Sequence, residues 1–333
     1  VTLFVQPRLV NEPFSDPGVL LDFRFGNRAL LFDLGDLSTL SPREILRISH
    51  VFVTHMHMDH FSGFDRLLRL SLYRDRRVHI VGPPGLTDAV EAKLRAYTWN
   101  LLDGRSHDLE IAASDWAEGG FITEVVFRAR NAFVRENQQP SEARLPLDDP
   151  EFKVVAVTLD HGIPCLAFSF QEKIRVNVHK TRLDELRLPV GPWLAEAKRA
   201  VRSGAGPATE FMPTKDRKVV LGELLQSQAL VCAPGQRVAY ATDLAFHSLN
   251  ITRLCSLACG ADQLFIEGGF LQEDRGLAAS KKHLTAVQAG EIARLAAVDF
   301  AHQMHFSPRY LGREDELRAE FELAFHGRSV ARR

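Results

Sequence analysis

Short apolar runs bounded by glycine, proline and charged residues alternate along this chain with stretches whose apolar positions recur at helical spacing. Val19 to Phe25, Ala29 to Phe32 and Val51 to Thr54 read as strands, whereas Leu67 to Tyr73 has the period of a helix. A short strand at Val78 to Val81 leads through Pro83 and Pro84, residues suited to a helix entry, into a helix from Leu86 to Tyr97. A second set of strands follows at Phe121 to Ala129, Lys153 to Leu159 and Cys165 to Phe170, then a polar segment with prolines and a helix near Trp193 to Val201. The remainder supplies strands at Val219 to Leu221, Ala229 to Val231, Val238 to Ala241 and Gln263 to Ile266. Helices fall near Leu249 to Ala258, Leu284 to Ala297 and Glu314 to Phe325. Strands arriving in two sets, with helices interspersed, predict an α/β fold of two packed sheets covered by helices rather than one doubly wound sheet. Ser203 to Pro207 and Asn137 to Pro150 read as loops.

Composition narrows this picture only slightly. The 333 residues are 45% hydrophobic, enough for a substantial core, and the formal net charge of -1 excludes a polycation, so a nucleic-acid contact would need a local patch. Four cysteines, Cys165, Cys232, Cys255 and Cys259, form no C-x-x-C pair and read as reduced thiols of a cytoplasmic protein, with Cys255 and Cys259 core-facing in a helix. No apolar stretch reaches the length of a membrane span, so no membrane partner is expected.

Chemistry enters at Thr54-His55-Met56-His57-Met58-Asp59-His60, where three imidazoles and a carboxylate follow the apolar run Val51 to Val53. So many groups that share protons are costly to house together unless a cation holds them. In an extended segment His55 and His57 face the same way, and a following turn brings Asp59 and His60 to another side of one small volume. One loop of this kind serves two adjacent cations. Nitrogen and oxygen donors without thiolate suit Zn2+, with Mn2+ or Fe2+ as alternatives. Two ions need further ligands, and His161, Asp243 and His305 each lie near the end of an apolar segment, where distant parts of a chain converge. Asp243 has two oxygens with which to bridge.

His55-x-His57-x-Asp59-His60, with His161, Asp243 and His305, resembles the metallo-β-lactamase superfamily, whose fold is a four-layer αβ/βα sandwich with a dinuclear site at one edge. Within it the chain is similar to the ribonuclease Z family of tRNA 3′-processing endonucleases. The words that carry this are His161-Gly162-Ile163-Pro164, Glu172-Lys173, Leu188 to Pro192, Ala261 to Glu267, His283 to Ala289 and His305-Phe306-Ser307-Pro308-Arg309-Tyr310. The likeness runs from about Ala29 onward and implies one domain over 1–333.

What the resemblance implies is specific. His55, His57 and His161 would hold one ion, Asp59, His60 and His305 the other, and Asp243 would bridge them. Asp59 would aim an activated water at phosphorus, His283 would assist the leaving oxygen, and Glu267 would orient that side of the site. Ser307 and Arg309 would either meet phosphate or brace the loop after His305. Residues 173–204 carry eight Lys or Arg against three Asp or Glu, a basic segment where the family has a protruding RNA exosite ending in a Gly-Pro element, here Gly191-Pro192. Lys180, Arg182 and Arg187 are its candidate RNA contacts, while Tyr97, Trp99 and Trp193 are expected to pack within their own domain rather than stack on bases. The expected partners are a tRNA precursor and a second copy of the chain in a homodimer.

Departures touch the substrate walls more than the ions. Phe4 to Asn11 and Asp33 to Ser38 replace the family's glycine-rich stretches, and Ala241-Thr242-Asp243-Leu244 stands where relatives have Gly-Asp-Thr. Removal of 3′ trailers from tRNA precursors is therefore the leading expectation. The alternatives are a phosphodiesterase acting on other RNA or small diesters, a hydrolase of lactams, thioesters or lactones on the same scaffold, and a non-enzymatic RNA-binding module.

Overall fold

The computed structural model describes residues 3–24, 26–137 and 144–327, so Phe25 and positions 138–143 of the expected strand and loop lie outside the described residues. The first half alternates β1 (Val5–Leu9), β2 (Val19–Phe23), β3 (Ala29–Phe32), α1 (Pro42–Ile45), β4 (Ile48–Phe52), α2 (Met58–Phe61), α3 (Phe64–Ser71) and β5 (Arg76–Gly82). It continues with α4 (Leu86–Arg95), β6 (Leu109–Ala117), β7 (Gly120–Arg128) and β8 (Arg135–Asn137). These strands form one eight-stranded sheet in sequence order, with β3 to β6 parallel and antiparallel pairs on either flank. Local chemistry sets the boundaries: Ser41 and Glu44 close a reciprocal capping box over α1, with Pro42 in its first turn.

The second half opens with β9 (Leu147–Asp148), β10 (Phe152–Asp160) and β11 (Pro164–Glu172). Next come β12 (Ile174–Val178), α5 (Lys180–Glu185), α6 (Trp193–Arg202), β13 (Glu210–Thr214), β14 (Arg217–Val220), α7 (Leu221–Gln226) and β15 (Leu230–Pro234). The chain closes with β16 (Arg237–Ala241), α8 (Ser248–Ala258), β17 (Gln263–Glu267), α9 (Arg275–Lys281), α10 (Ala286–Leu295), β18 (Phe300–Met304) and α11 (Glu314–His326). A six-stranded sheet runs β18-β17-β16-β11-β10-β9, and two-stranded ladders pair β12 with β15 and β13 with β14.

The chain divides into two compact units, the smaller including Leu147–Val154 and Phe170–Gln236. In the larger, Leu67, Leu68, Leu86, Val90 and Leu94 of α3 and α4 pack on Val51, Val78, Ile80 and Ile111 of the first sheet. Leu254, Ile292, Leu317 and Phe321 of α8, α10 and α11 cover Ala239, Ala241, Leu264 and Ile266 of the second. Gly290 permits the α10–α11 approach, since a Cβ there would lie 2.5 Å from the Phe321 carbonyl oxygen. Between the sheets Phe32 stacks on Phe168 at 5.7 Å and on Tyr240 at 5.6 Å, while Phe52 meets Phe168 at 5.5 Å. The layers are helix, sheet, sheet, helix, as two sets of strands predict, but Phe121 to Ala129, expected in the second set, is β7 of the first sheet, where it pairs antiparallel with β6.

In the smaller unit Trp193, Leu194 and Ala197 of α6 join Val176, Leu183, Phe211, Val219 and Leu224 in a core of their own. Half of the basic residues of 173–204 are already paired: Lys173 with Asp148, Arg175 with Glu172, Arg182 with Glu185, and Arg202 with Glu151 and Glu172. Lys180 and Arg187 are exposed and have no ion pair among the described residues. Trp193 is buried and donates through Nε1 to the Pro189 carbonyl at 2.9 Å, and Trp99 packs against Phe133 at 4.8 Å. Tyr97 is 45% exposed, yet its ring packs edge-on against Trp99 at 5.8 Å, within its own domain as expected. Cys255 is half-buried among α8 contacts as expected, whereas Cys259 is exposed, because the helix stops at Ala258 and turns it outward.

Several elements escape the pattern for identifiable reasons. β6 is buried along nearly its whole length, with three Ala and one β-branched residue, Ile111, so neither alternation nor β-branching marks it. β1 carries Pro7 and lies at the edge of its sheet, where a missing N–H is tolerated. The run Val219 to Leu221 is split, since β14 ends at Val220 and Leu221 opens α7.

The inter-sheet aromatics should dominate stability. Phe168→Ala should lower the unfolding free energy by about 3–5 kcal/mol in a denaturant titration. Phe300→Ala, at a side chain 66% exposed, should change it by less than about 0.5 kcal/mol.

Candidate metal centre

Three chain segments leave their strands through left-handed backbone. Asp33 follows β3 at φ 58°, Asp243 lies just beyond β16 at φ 53°, and His305 follows β18 at φ 58°. Such conformations cost a non-glycine residue about 1–3 kcal/mol and persist where surrounding contacts over-determine them. Here they turn two carboxylates and an imidazole into one volume. The loop from β4 into α2 brings in His55, His57, Asp59 and His60, held close because Gly63 has no Cβ to strike the Gly35 carbonyl oxygen. His161 arrives from the turn between β10 and β11.

The focus is Asp243, whose side chain is 3% exposed. Its Oδ2 lies 3.5 Å from His55 Nε2, 3.3 Å from His60 Nε2 and 3.6 Å from His161 Nε2. Its Oδ1 is 2.7 Å from His305 Nδ1 and 3.8 Å from His283 Nδ1. Asp59 Oδ2 stands 3.2 Å from His305 Nε2 and 3.4 Å from His60 Nε2. Donor atoms of His55, His57, His161 and Asp243 all lie within 4.8 Å of one another, as do those of Asp59, His60 and His305. A third set of the same compactness joins Asp243 and His305 to Glu267 and His283.

The opposite ring nitrogens are committed to the protein. His60 Nδ1 donates to Asp33 Oδ2 at 2.8 Å, and Asp33 also accepts from the Thr54 backbone, the Thr54 hydroxyl and the Tyr240 hydroxyl. His161 Nδ1 donates to the Lys282 carbonyl at 2.9 Å, and His55 Nδ1 lies 3.1 Å from Thr54 Oγ1. His283 Nδ1 meets Glu267 Oε2 at 2.9 Å, and Glu267 Oε1 accepts from the Leu244 backbone at 2.7 Å. These partners fix each ring and point the Nε2 atoms of His55, His60 and His161 toward Asp243.

Whether a cation fits can be tested on those nitrogens. His55 Nε2 and His60 Nε2 are buried and make no hydrogen bond, although carboxylate oxygens stand within 3.5 Å. A buried polar atom without a partner costs about 1–3 kcal/mol, so two adjacent orphans are hard to explain as ordinary packing. Atoms that converge without satisfying one another, in an all-nitrogen-and-oxygen donor set, fit a divalent ion of the zinc class.

Proton affinities split within the cluster. Burial, reinforced by the neighbouring His60, lowers His55 to about 2 and keeps it neutral, as a ligand must be. Burial also opposes charge on His305, but the Asp243 and Asp59 carboxylates together outweigh it and raise His305 to about 10. His60 is likewise raised well above its usual value despite burial, by Asp243 and Asp33. Burial pushes Asp243 upward, yet His305 and His60 together hold it well below the ordinary carboxylate range.

Asp33, Thr54, Tyr240 and Lys282 are the site residues that sequence reading missed. Asp33 offered one signal, a carboxylate directly after a buried strand, as at the other cluster residues. Ser307 accepts from the Arg309 backbone at 3.4 Å and caps a turn at Pro308–Tyr310, while the Arg309 side chain is exposed and braces no interior. Lys180, Arg182 and Arg187 belong to the smaller unit. The cysteines belong to none of the donor clusters.

Comparison with known proteins agrees with this geometry. The family model for the metallo-beta-lactamase superfamily matches residues 24–127. A ribonuclease Z from Deinococcus radiodurans is 32% identical over 316 residues, covering 91% of this chain and 90% of that protein. One from Lactiplantibacillus plantarum is 28% identical over 94% of this chain and 88% of its own length. Among solved structures, the short form of human tRNase Z superposes with TM-score 0.50 at 19% identity, covering 92% of this chain and 93% of that one. The Bacillus subtilis metallo-beta-lactamase fold protein YhfI gives TM-score 0.53 at 16% identity, covering 96% and 94%. These two likenesses establish the fold, a metallo-β-lactamase αβ/βα sandwich whose clustered His, Asp and Glu side chains suit metal-dependent hydrolysis.

Ion binding must displace the protons that His305 and His60 carry in the ion-free chain. Zn2+ binding near neutral pH should therefore release protons, and apparent affinity should climb with pH until His305 deprotonates unaided near 10. Titration calorimetry in buffers of different ionisation enthalpy measures the release; a proton count of zero contradicts the assignment.

Proposed function

The chain belongs to the ribonuclease Z family, and from that premise we propose that it is a metal-dependent phosphodiesterase that removes 3′ trailers from tRNA precursors. In this reading His55, His57 and His161 hold one divalent ion, Asp59, His60 and His305 hold a second, and Asp243 bridges them. Zn2+ is the preferred metal, with Mn2+ or Fe2+ able to use the same donors. When bound, the ions supply Lewis-acid activation of water and neutralise charge at the phosphate. Two separately compact donor groups, His55, His57, His161 and Asp243 on one side and Asp59, His60 and His305 on the other, support two ions over one, and Asp243 Oδ2 lies 3.3 Å from His60 Nε2 of the second group.

The observation that carries phosphodiester chemistry is His283, pinned to Glu267 beside Asp243. Its side chain is 21% exposed, so the ring reaches both the cluster and solvent. Burial disfavours its charge, but Glu267 and Asp243 together outweigh burial and raise its pKa, keeping a proton available. With Nδ1 held by Glu267, Nε2 is the atom that gives a proton to the departing 3′ oxygen as water attacks phosphorus and the P–O3′ bond breaks. The products are a tRNA 3′-hydroxyl and a trailer bearing a 5′-phosphate. Asp59, 41% exposed and the most open carboxylate of the cluster, accepts a hydrogen bond from the attacking water.

RNA recognition rests on less. Lys180, Arg187 and Arg199 are the exposed basic residues of 173–204 without an ion pair among the described residues, and so the side chains available to meet phosphate. The Arg182 pair with Glu185 is exposed, worth about 0–1 kcal/mol, and readily exchanged for a phosphate.

Metal-loaded protein should cleave a 3′-extended tRNA precursor and, more slowly, bis(p-nitrophenyl) phosphate; turnover of the small diester alone would favour a different phosphodiesterase. His283→Ala should lower tRNA cleavage by about 10²–10⁴-fold at unchanged metal content. Its effect on bis(p-nitrophenyl) phosphate should be smaller, since p-nitrophenolate departs without a proton. Neutralising Lys180, Arg182 and Arg187 together should weaken RNA binding and flatten its salt dependence while sparing small-diester turnover. Equal losses on both substrates would remove the exosite from the proposal.

A further inference from the structure

The candidate ligands His161 and Asp243 come from segments that no strand ladder joins directly. His161 follows β10, Asp243 follows β16, and β11 lies between those two strands in the sheet. Their side-chain atoms nevertheless stand 3.6 Å apart. Metal–ligand distances tolerate only about 0.2 Å of error, so something must fix the offset between the two loops.

One side chain spans that gap. Asn250, in the first turn of α8, is 1% exposed. Its Oδ1 accepts from the backbone N–H of Asp160, the residue before His161, at 3.0 Å. Its Nδ2 donates to the Asp160 carbonyl at 2.9 Å and to the carbonyl of Ala245, two residues beyond Asp243, at 2.8 Å. The Ala245 backbone N–H donates to the same Asp160 carbonyl at 2.8 Å, closing the link. The Asp160 carboxylate folds back on Gly162 N at 2.7 Å, and so holds the turn that carries His161.

We propose that Asn250 is a positioning residue of the metal centre, setting the loop of His161 against the loop of Asp243 so that both reach one ion. The inference rests on the reading of those two residues as ligands. Asn250 touches no ligand atom; it acts through backbone groups on either side, and its amide is suited to this because it offers an acceptor and two donors in one plane. Aspartate has the same shape but presents a second oxygen to the Asp160 and Ala245 carbonyls, so shape alone does not rescue the function.

The test compares wild-type protein with Asn250→Ala, Asn250→Asp and His161→Ala. Metal content is measured across graded chelator concentrations, with visible absorption of the Co2+-loaded form and thermal unfolding of the ion-free form. Both Asn250 variants should bind one ion about 10–100-fold more weakly and shift the Co2+ bands, as loss of a supporting contact does at metal sites. Should Asn250→Ala fail to fold, the isosteric Asp variant carries the measurement. Wild-type affinity and spectrum, with only a lowered ion-free melting temperature, would reduce Asn250 to a structural residue and overturn the proposal. Full metal content in His161→Ala would instead bring down the ligand reading itself.

Discussion

The carboxylate of Asp243 is nearly sealed from water and faces five imidazoles, those of His55, His60, His161, His283 and His305. Removing such a charge from solvent costs several kcal/mol unless partners compensate it. Compensation by His305 and His60 protonates those rings, which in turn makes them poor ligands until a cation displaces the protons. The two charge states exclude each other, so the cluster binds protons or metal, and the rest of the architecture decides how well it exchanges one for the other. Asp33 has a central part in this, since it anchors the far nitrogen of His60 and is itself fixed by Thr54 and Tyr240. Tyr240 also stacks on Phe32. The aromatic layer between the sheets and the metal cluster are thus joined through one carboxylate.

Sequence reasoning reached the donors more readily than their supports. His55 to His60 stood out through density, and His161, Asp243 and His305 through position after apolar segments. Glu267 and His283 came from resemblance, and the geometry adds why they act as a pair. The supports were illegible because their chemistry is generic: a carbonyl on Lys282, a hydroxyl on Tyr240 or an amide on Asn250 carries no pattern until the chain is folded. The same holds for β6, where burial on both faces erases the alternation on which strand reading depends. Cys259 shows the opposite failure. Helical spacing from Cys255 predicted a buried face, but a helix end one residue earlier turned it to solvent.

The charge count of residues 173–204 shows how sequence can overstate a binding surface. An excess of positive residues reads as a phosphate contact, yet Arg175 and Arg202 both engage Glu172, which is itself buried. Those arginines stabilise the smaller unit. What remains unpaired among the described residues of this segment is a short list of exposed side chains, Lys180, Arg187 and Arg199 among them.

A candidate metal site whose ligands come from four separate segments has a further requirement that its ligand list does not express. Each donor must be set by the backbone before an ion arrives, because mutual repulsion among like donors would otherwise spread them. The left-handed residues Asp33, Asp243 and His305 meet part of that requirement by fixing direction at three strand ends. They do not fix the distance between one strand end and another. Hydrogen bonds that cross from loop to loop must do so, and in this chain the bonds of Glu267 to the Leu244 backbone and of Asn250 to Asp160 and Ala245 both converge on the segment after Asp243. That segment is therefore braced from two sides, by the strand that presents the acid's partner and by the helix that begins behind His161. Precision at the Asp243 carboxylate is a property of this bracing as much as of the carboxylate itself.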